Sequence, residues 1–168
     1  MSLFQLLKKP ARDRLPRALG AMETLIMDEH IKDVEREVEL DHEYERIREA
    51  VKHAKLLASK RRIDPELAGV VAAVQNIGRI VTGKSDGYAE AGYLPAKQFL
   101  AGLGCFVDKE IEQIATAVRN HSRKAEKDGP LDELAKDADI YARYLQAYEF
   151  TRPAELSRLN RIRNELQF

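Results

Sequence analysis

Tryptophan is absent from the 168 residues, cysteine occurs once, and no apolar run approaches the roughly 18 residues a membrane-spanning helix needs. A single Cys105 cannot close an internal disulfide, and its neighbours Leu103, Gly104 and Phe106 mark it as a buried thiol in a cytoplasmic protein. Net charge is lacking as well. Lys and Arg total 28, Asp and Glu total 28, and the sequence pI is about 6.9, so no global field draws the chain to nucleic acid or to an acidic membrane. Gly-rich phosphate cradles, Cys-x-x-Cys pairs and His-Glu-x-x-His are all missing, which removes the commonest short signatures of nucleotide and metal chemistry. The N-terminus, MSLFQLLKKPARDR, places its apolar Leu3, Phe4, Leu6 and Leu7 ahead of its basic residues, the reverse of a secretory signal. That patch reads as a segment docked on the domain in preference to a weak surface anchor.

Runs of alternating β-branched residues are missing too, whereas apolar positions recur every three or four residues almost throughout. The pattern predicts one all-α domain over residues 1–168. A first helix is expected from about Arg17 to Val38 on an apolar stripe through Met22, Ile26, Ile31 and Val34. Asp41 is expected to cap a second helix reaching about Lys60. Asp64-Pro65 starts a third helix, with Asp64 as N-cap and Pro65 at the first helical position, and Gly78 is its expected stop. Val81 to Tyr88 reads as the longest loop, flanked by Arg79 and Lys84, which could attract a phosphate or simply face solvent. Further helices are expected from about Ala89 to Leu103, from an Asp108 cap to Ser122, from Leu131 to about Tyr148 and from Pro153 to Leu166. The basic residues of the last helix read as a solvated face, not a nucleic-acid reader.

The four histidines are unremarkable one at a time. His30 and His53 lie within helices, His42 at a helix start and His121 at a helix end. Their order along the chain carries more. Asp41-His42-Glu43-Tyr44-Glu45-Arg46, then Ala73-Val74-Gln75-Asn76-Ile77-Gly78, then Ala89-Glu90, then Arg119-Asn120-His121 and finally Asp137-Ala138-Asp139 form a series. In order and spacing it resembles the HD-domain superfamily of metal-dependent phosphohydrolases, over roughly residues 41–145.

The resemblance implies a helical bundle of about six or seven helices in which a histidine, an adjacent His-Asp pair and a later aspartate hold a divalent metal that activates water. It also sets out what has changed. Arg46 stands where the first histidine is expected, Gln75 and Asn76 where the His-Asp pair is expected, and Tyr88 where members with a second metal or phosphate site have a histidine. His121 and Asp137 keep the family's residue types. Amides are weak neutral donors and a guanidinium repels a cation, so no metal cofactor is expected. The expectation is a degenerate, non-catalytic member in which Arg46 and Asp137 converge on the old metal position and Gln75, Asn76, Tyr88 and His121 complete a pocket for a phosphorylated small molecule or nucleotide. Two alternatives stand beside it. One is a phosphohydrolase with relocated ligands from His42, His53, His121 and Asp137. His42 and His53 lie about 16 Å apart along one helix, too far to share an ion. The other is an assembly protein, including a homo-oligomer, that pairs through the flanking helices.

Overall fold

From Pro65 to Val74 the chain offers apolar or small residues on nearly every side, and a helix of that kind is stable only when surrounded. In the computed structural model, which describes residues 13–32 and 34–167, that segment is the centre of an all-helical domain. The described residues form α1 (Arg14–His30), α2 (Glu43–Arg61), α3 (Pro65–Val74), α4 (Ile77–Thr82), α5 (Tyr88–Ala91), α6 (Tyr93–Leu103), α7 (Asp108–Asn120), α8 (Pro130–Leu145) and α9 (Pro153–Leu166). Helices α1, α2, α7 and α8 all pack on α3, and α9 lies against α8. Residues 68–74 are buried without a break. The N-terminal patch from Leu3 to Leu7 lies outside the described residues.

Local chemistry accounts for the helix ends. The Asp64 carboxylate accepts from the Glu66 amide at 2.8 Å, with Pro65 opening α3 as expected. At α2 the expected cap is replaced. His42 occupies the N-cap in the left-handed region at φ 63°, and the Asp41 contribution is its carbonyl, which accepts from Arg46 at 2.7 Å. Val107, not Asp108, is the N-cap of α7, and its amide donates to the Glu110 carboxylate at 3.1 Å.

Four further boundaries differ from expectation. Helix α1 stops at His30 because residues 34–40 cross to the end of α4, where the Arg36 guanidinium donates to the Ile80 carbonyl and the Glu37 amide to the Gly83 carbonyl at 2.9 Å. Ile31 and Val34 consequently lie exposed outside the core stripe of Leu15, Ala18, Met22 and Ile26. Gly78 does not end a helix. It sits inside α4, where a Cβ would fall 1.9 Å from the Tyr88 carbonyl oxygen and 2.7 Å from the Gly92 amide. The helix expected from Ala89 to Leu103 is divided at Gly92 into α5 and α6, and α8 ends at Leu145 ahead of a left-handed Ala147. Cys105 is half-buried rather than sealed in the core.

The apolar side of α9, through Leu159, Ile162 and Leu166, closes the chain's own core. No helix among the described residues is long and apolar enough to cross a membrane.

Candidate functional site

Helix α3 ends at Val74 and α4 begins at Ile77, which leaves Gln75 and Asn76 as the joint between two buried helices. The joint opens onto a cavity of about 530 Å³. Around it stand Arg46 from α2, Arg79 from α4, Tyr88 from α5, Lys124 beyond α7, and Asp139 and Arg143 from α8. Tyr148, Arg152 and Glu155 close the far wall. Among the lining residues five are cationic and three acidic, so the cavity is locally positive in a chain of zero net charge.

Glu43, fully buried, neutralises part of this charge. Both of its carboxylate oxygens accept from the terminal guanidinium of Arg79 at 2.9 Å, and Arg46 approaches one of them at 3.9 Å. Lys124 donates to Asp139 Oδ2 at 2.7 Å and to the Lys136 carbonyl at 3.2 Å. Arg143 reaches the same Asp139 oxygen at 3.4 Å and Glu155 at 3.2 Å, with its guanidinium 4.2 Å from the Tyr148 ring centre. Burial would raise the Asp139 carboxyl, but Lys124, His121 and Arg143 outweigh it and hold the group down at about 2. Burial lowers Lys124 against the pull of Asp139.

Beneath Tyr88 lies His121, fully buried, with ring centres 5.6 Å apart. Its Nδ1 is 2.7 Å from the Val118 carbonyl and therefore carries the proton. Burial first, and Lys124 second, push the imidazole down to about 4, so it is neutral. Burial also pushes the Tyr88 hydroxyl up to about 12.

Arg46, Gln75, Asn76 and Tyr88 thus line one cavity, with His121 under its wall. Asp137 does not join them. Two residues along a helix turn the side chain by about 200°, and Asp137 points the other way, to Arg61 at 2.8 Å, Arg158 at 3.0 Å and Arg161 at 3.4 Å. The expected convergence of Arg46 and Asp137 is corrected accordingly, and Asp139 is the carboxylate that faces the cavity. Glu43, Lys124 and Arg143 were not singled out in the sequence. Lys84 pairs with Glu37 in the open, whereas Arg79 is a cavity residue.

The histidines do not assemble into the relocated site either. His42 is exposed, and His53 is buried edge-on to Tyr141 at 5.0 Å. Among the described residues no group of three or more His, Cys, Asp or Glu is placed to hold a metal ion. The donor set the HD architecture implies is answered at this cavity by a guanidinium, two amides and a carboxylate already bound to an ammonium, and these residues do not fit a divalent ion.

No protein-family model matches the chain, and no curated protein matches it. A solved structure does. The crystal structure of a predicted HD superfamily hydrolase from an uncultured Thermotogales bacterium superposes with a TM-score of 0.59 at 21% identity, covering 98% of this chain and 92% of that one. With that likeness running over nearly the whole length of both chains, this protein has the HD-domain fold.

Proposed function

We propose that this protein is a non-catalytic binding member of the HD-domain architecture, and that its cavity takes a phosphorylated small molecule without a metal ion. The observation that carries the reading is the condition of Asp139. This carboxylate faces the cavity, and Lys124 holds it at 2.7 Å with Arg143 on the same oxygen. A carboxylate so committed is a poor metal ligand and a poor general base, since, against its burial, Lys124 and Arg143 hold it below the usual carboxylate range. Arg46, Arg79 and Arg143 stand around it from three helices. Guanidinium groups recognise phosphate oxygens through paired, charge-assisted hydrogen bonds.

The test is twofold. Protein purified without chelator is analysed for bound metal and assayed for phosphatase turnover on nucleoside monophosphates and a chromogenic phosphate ester, with Mg²⁺, Mn²⁺, Co²⁺ and Ni²⁺ in turn. Inorganic phosphate is then titrated calorimetrically. The expected result is no stoichiometric metal, no turnover, and phosphate binding that weakens as ionic strength rises. Stoichiometric metal with turnover overturns the proposal.

A further inference from the structure

The charge in this cavity is graded by depth. Gln75 is 1% exposed and the Asp139 side chain 12%, whereas the Arg46 side chain is 37% exposed and that of Arg143 28%. Arg152 is also exposed at the wall. Lys124, 8% exposed at its side chain, is spent on Asp139 and Arg79 on Glu43, so the charges of the floor are paired internally, and the more exposed arginines make the mouth.

The floor has unmet hydrogen-bonding capacity. Among the described residues Gln75 Oε1, Asn76 Oδ1, His121 Nε2 and Arg79 Nε are buried without a hydrogen-bond partner. His121 Nδ1 keeps the ring proton against the Val118 carbonyl, so Nε2 is an acceptor. Both hydrogen bonds to Asp139 go to Oδ2, which leaves Oδ1 for another donor. Buried polar groups left unpartnered in this way cost stability unless water or a ligand reaches them.

A phosphate dianion is acceptor-only and cannot satisfy the amide carbonyl oxygens or Asp139 Oδ1. A hydroxyl group both donates and accepts. It matches each amide whichever way the amide is turned, and it can donate to Asp139 Oδ1. We infer that the ligand is a phosphorylated polyhydroxy compound, of the sugar phosphate class, seated with its hydroxyls on Gln75, Asn76 and Asp139 and its phosphate at Arg46 and Arg143. This inference rests on the anion-binding reading above and adds to it the ligand class and its orientation. The floor offers no broad apolar slot for a nucleobase: the alanines lining the cavity are small, and of the two aromatic rings Tyr148 is taken up with Arg143 at the wall.

Isothermal titration of the full chain with ribose 5-phosphate, inorganic phosphate, ribose and AMP tests this directly. Ribose 5-phosphate is expected to bind at least about tenfold more tightly than inorganic phosphate, and AMP no more tightly than ribose 5-phosphate. Gln75→Met, which keeps the side chain's length and removes the amide, should bring ribose 5-phosphate down toward the affinity of phosphate and leave phosphate itself unchanged. Arg46→Gln, at a partly exposed position whose removal does not empty the core, should weaken both. Equal affinity for phosphate and ribose 5-phosphate sinks the polyol assignment and leaves the anion site standing. Tighter binding of AMP also sinks it, by showing that the base is recognised. Failure of both phosphate and ribose 5-phosphate to bind overturns the anion site and the inference together.

Discussion

Asp137 and Asp139 sit two positions apart on α8, and their chemistry is divided by the helix between them. Asp137, 1% exposed, is the centre of an ion cluster that ties α2 to α9 through Arg61 and Arg158. Removing a buried partner strands the opposite charges, so Asp137→Ala should lower unfolding free energy by about 3 to 5 kcal/mol in urea titrations. It should leave phosphate affinity unchanged, because the residue lies outside the cavity. His121 supplies a pH dependence. The unfolded chain takes up this proton near 6.5 and the folded protein only near 4, so the stability the neutral ring contributes is complete above 6.5 and is lost as pH falls toward 4. His121→Asn, which retains a donor for the Val118 carbonyl, should flatten unfolding free energy measured between those two pH values. Glu133 is held at about 2 by Arg158 and Lys136 against its burial, and with Asp139 it adds a second loss below about pH 4. At this scale the sequence pointed to Arg46, Gln75, Asn76 and Tyr88 through their places in a spaced series. It could not separate Asp137 from Asp139, since both fit the same short segment and only the face each turns outward distinguishes them. Lys124 carried no signal, because a lysine in a polar loop becomes a buried partner only when α8 passes beneath it.

Among the elements, α3 was the easiest to foresee, because capping, proline placement and unbroken apolarity all agree there. What followed it was harder. Gly78 is a helix breaker by local propensity, yet the approach of the Tyr88 carbonyl from another helix determines its role, and that contact spans residues no local pattern links. Gly78→Ala should therefore destabilise the protein by about 1 to 3 kcal/mol or more and disturb the Tyr88 wall of the cavity, as read by thermal melts and by weakened phosphate binding. Gly20→Ala is the control. Among the described residues nothing lies within 4 Å of a Cβ at Gly20 in the middle of α1, and the change should stabilise by about 0.5 to 1 kcal/mol. The shortened α1 has the same kind of cause. Residues 31–38 continue its apolar spacing, but Arg36 and Glu37 are taken up by the carbonyls and the amide around the end of α4.

Over the whole molecule the helices have the HD arrangement, and the cavity at its centre is lined by arginines, a lysine, two amides and Asp139. A metal centre concentrates positive charge at the floor of such a cavity. Here the cations are guanidinium and ammonium groups, several of them neutralised by Glu43, Asp139 and Glu155, with the excess toward the mouth. An anion drawn by that excess should bind without any added ion. The direct measurement is calorimetric titration of ribose 5-phosphate into the protein, first with excess EDTA and then with Mn²⁺. One site per chain is expected, with the same affinity in both and weakened in Arg46→Gln. Binding that appears only with Mn²⁺ would contradict this expectation.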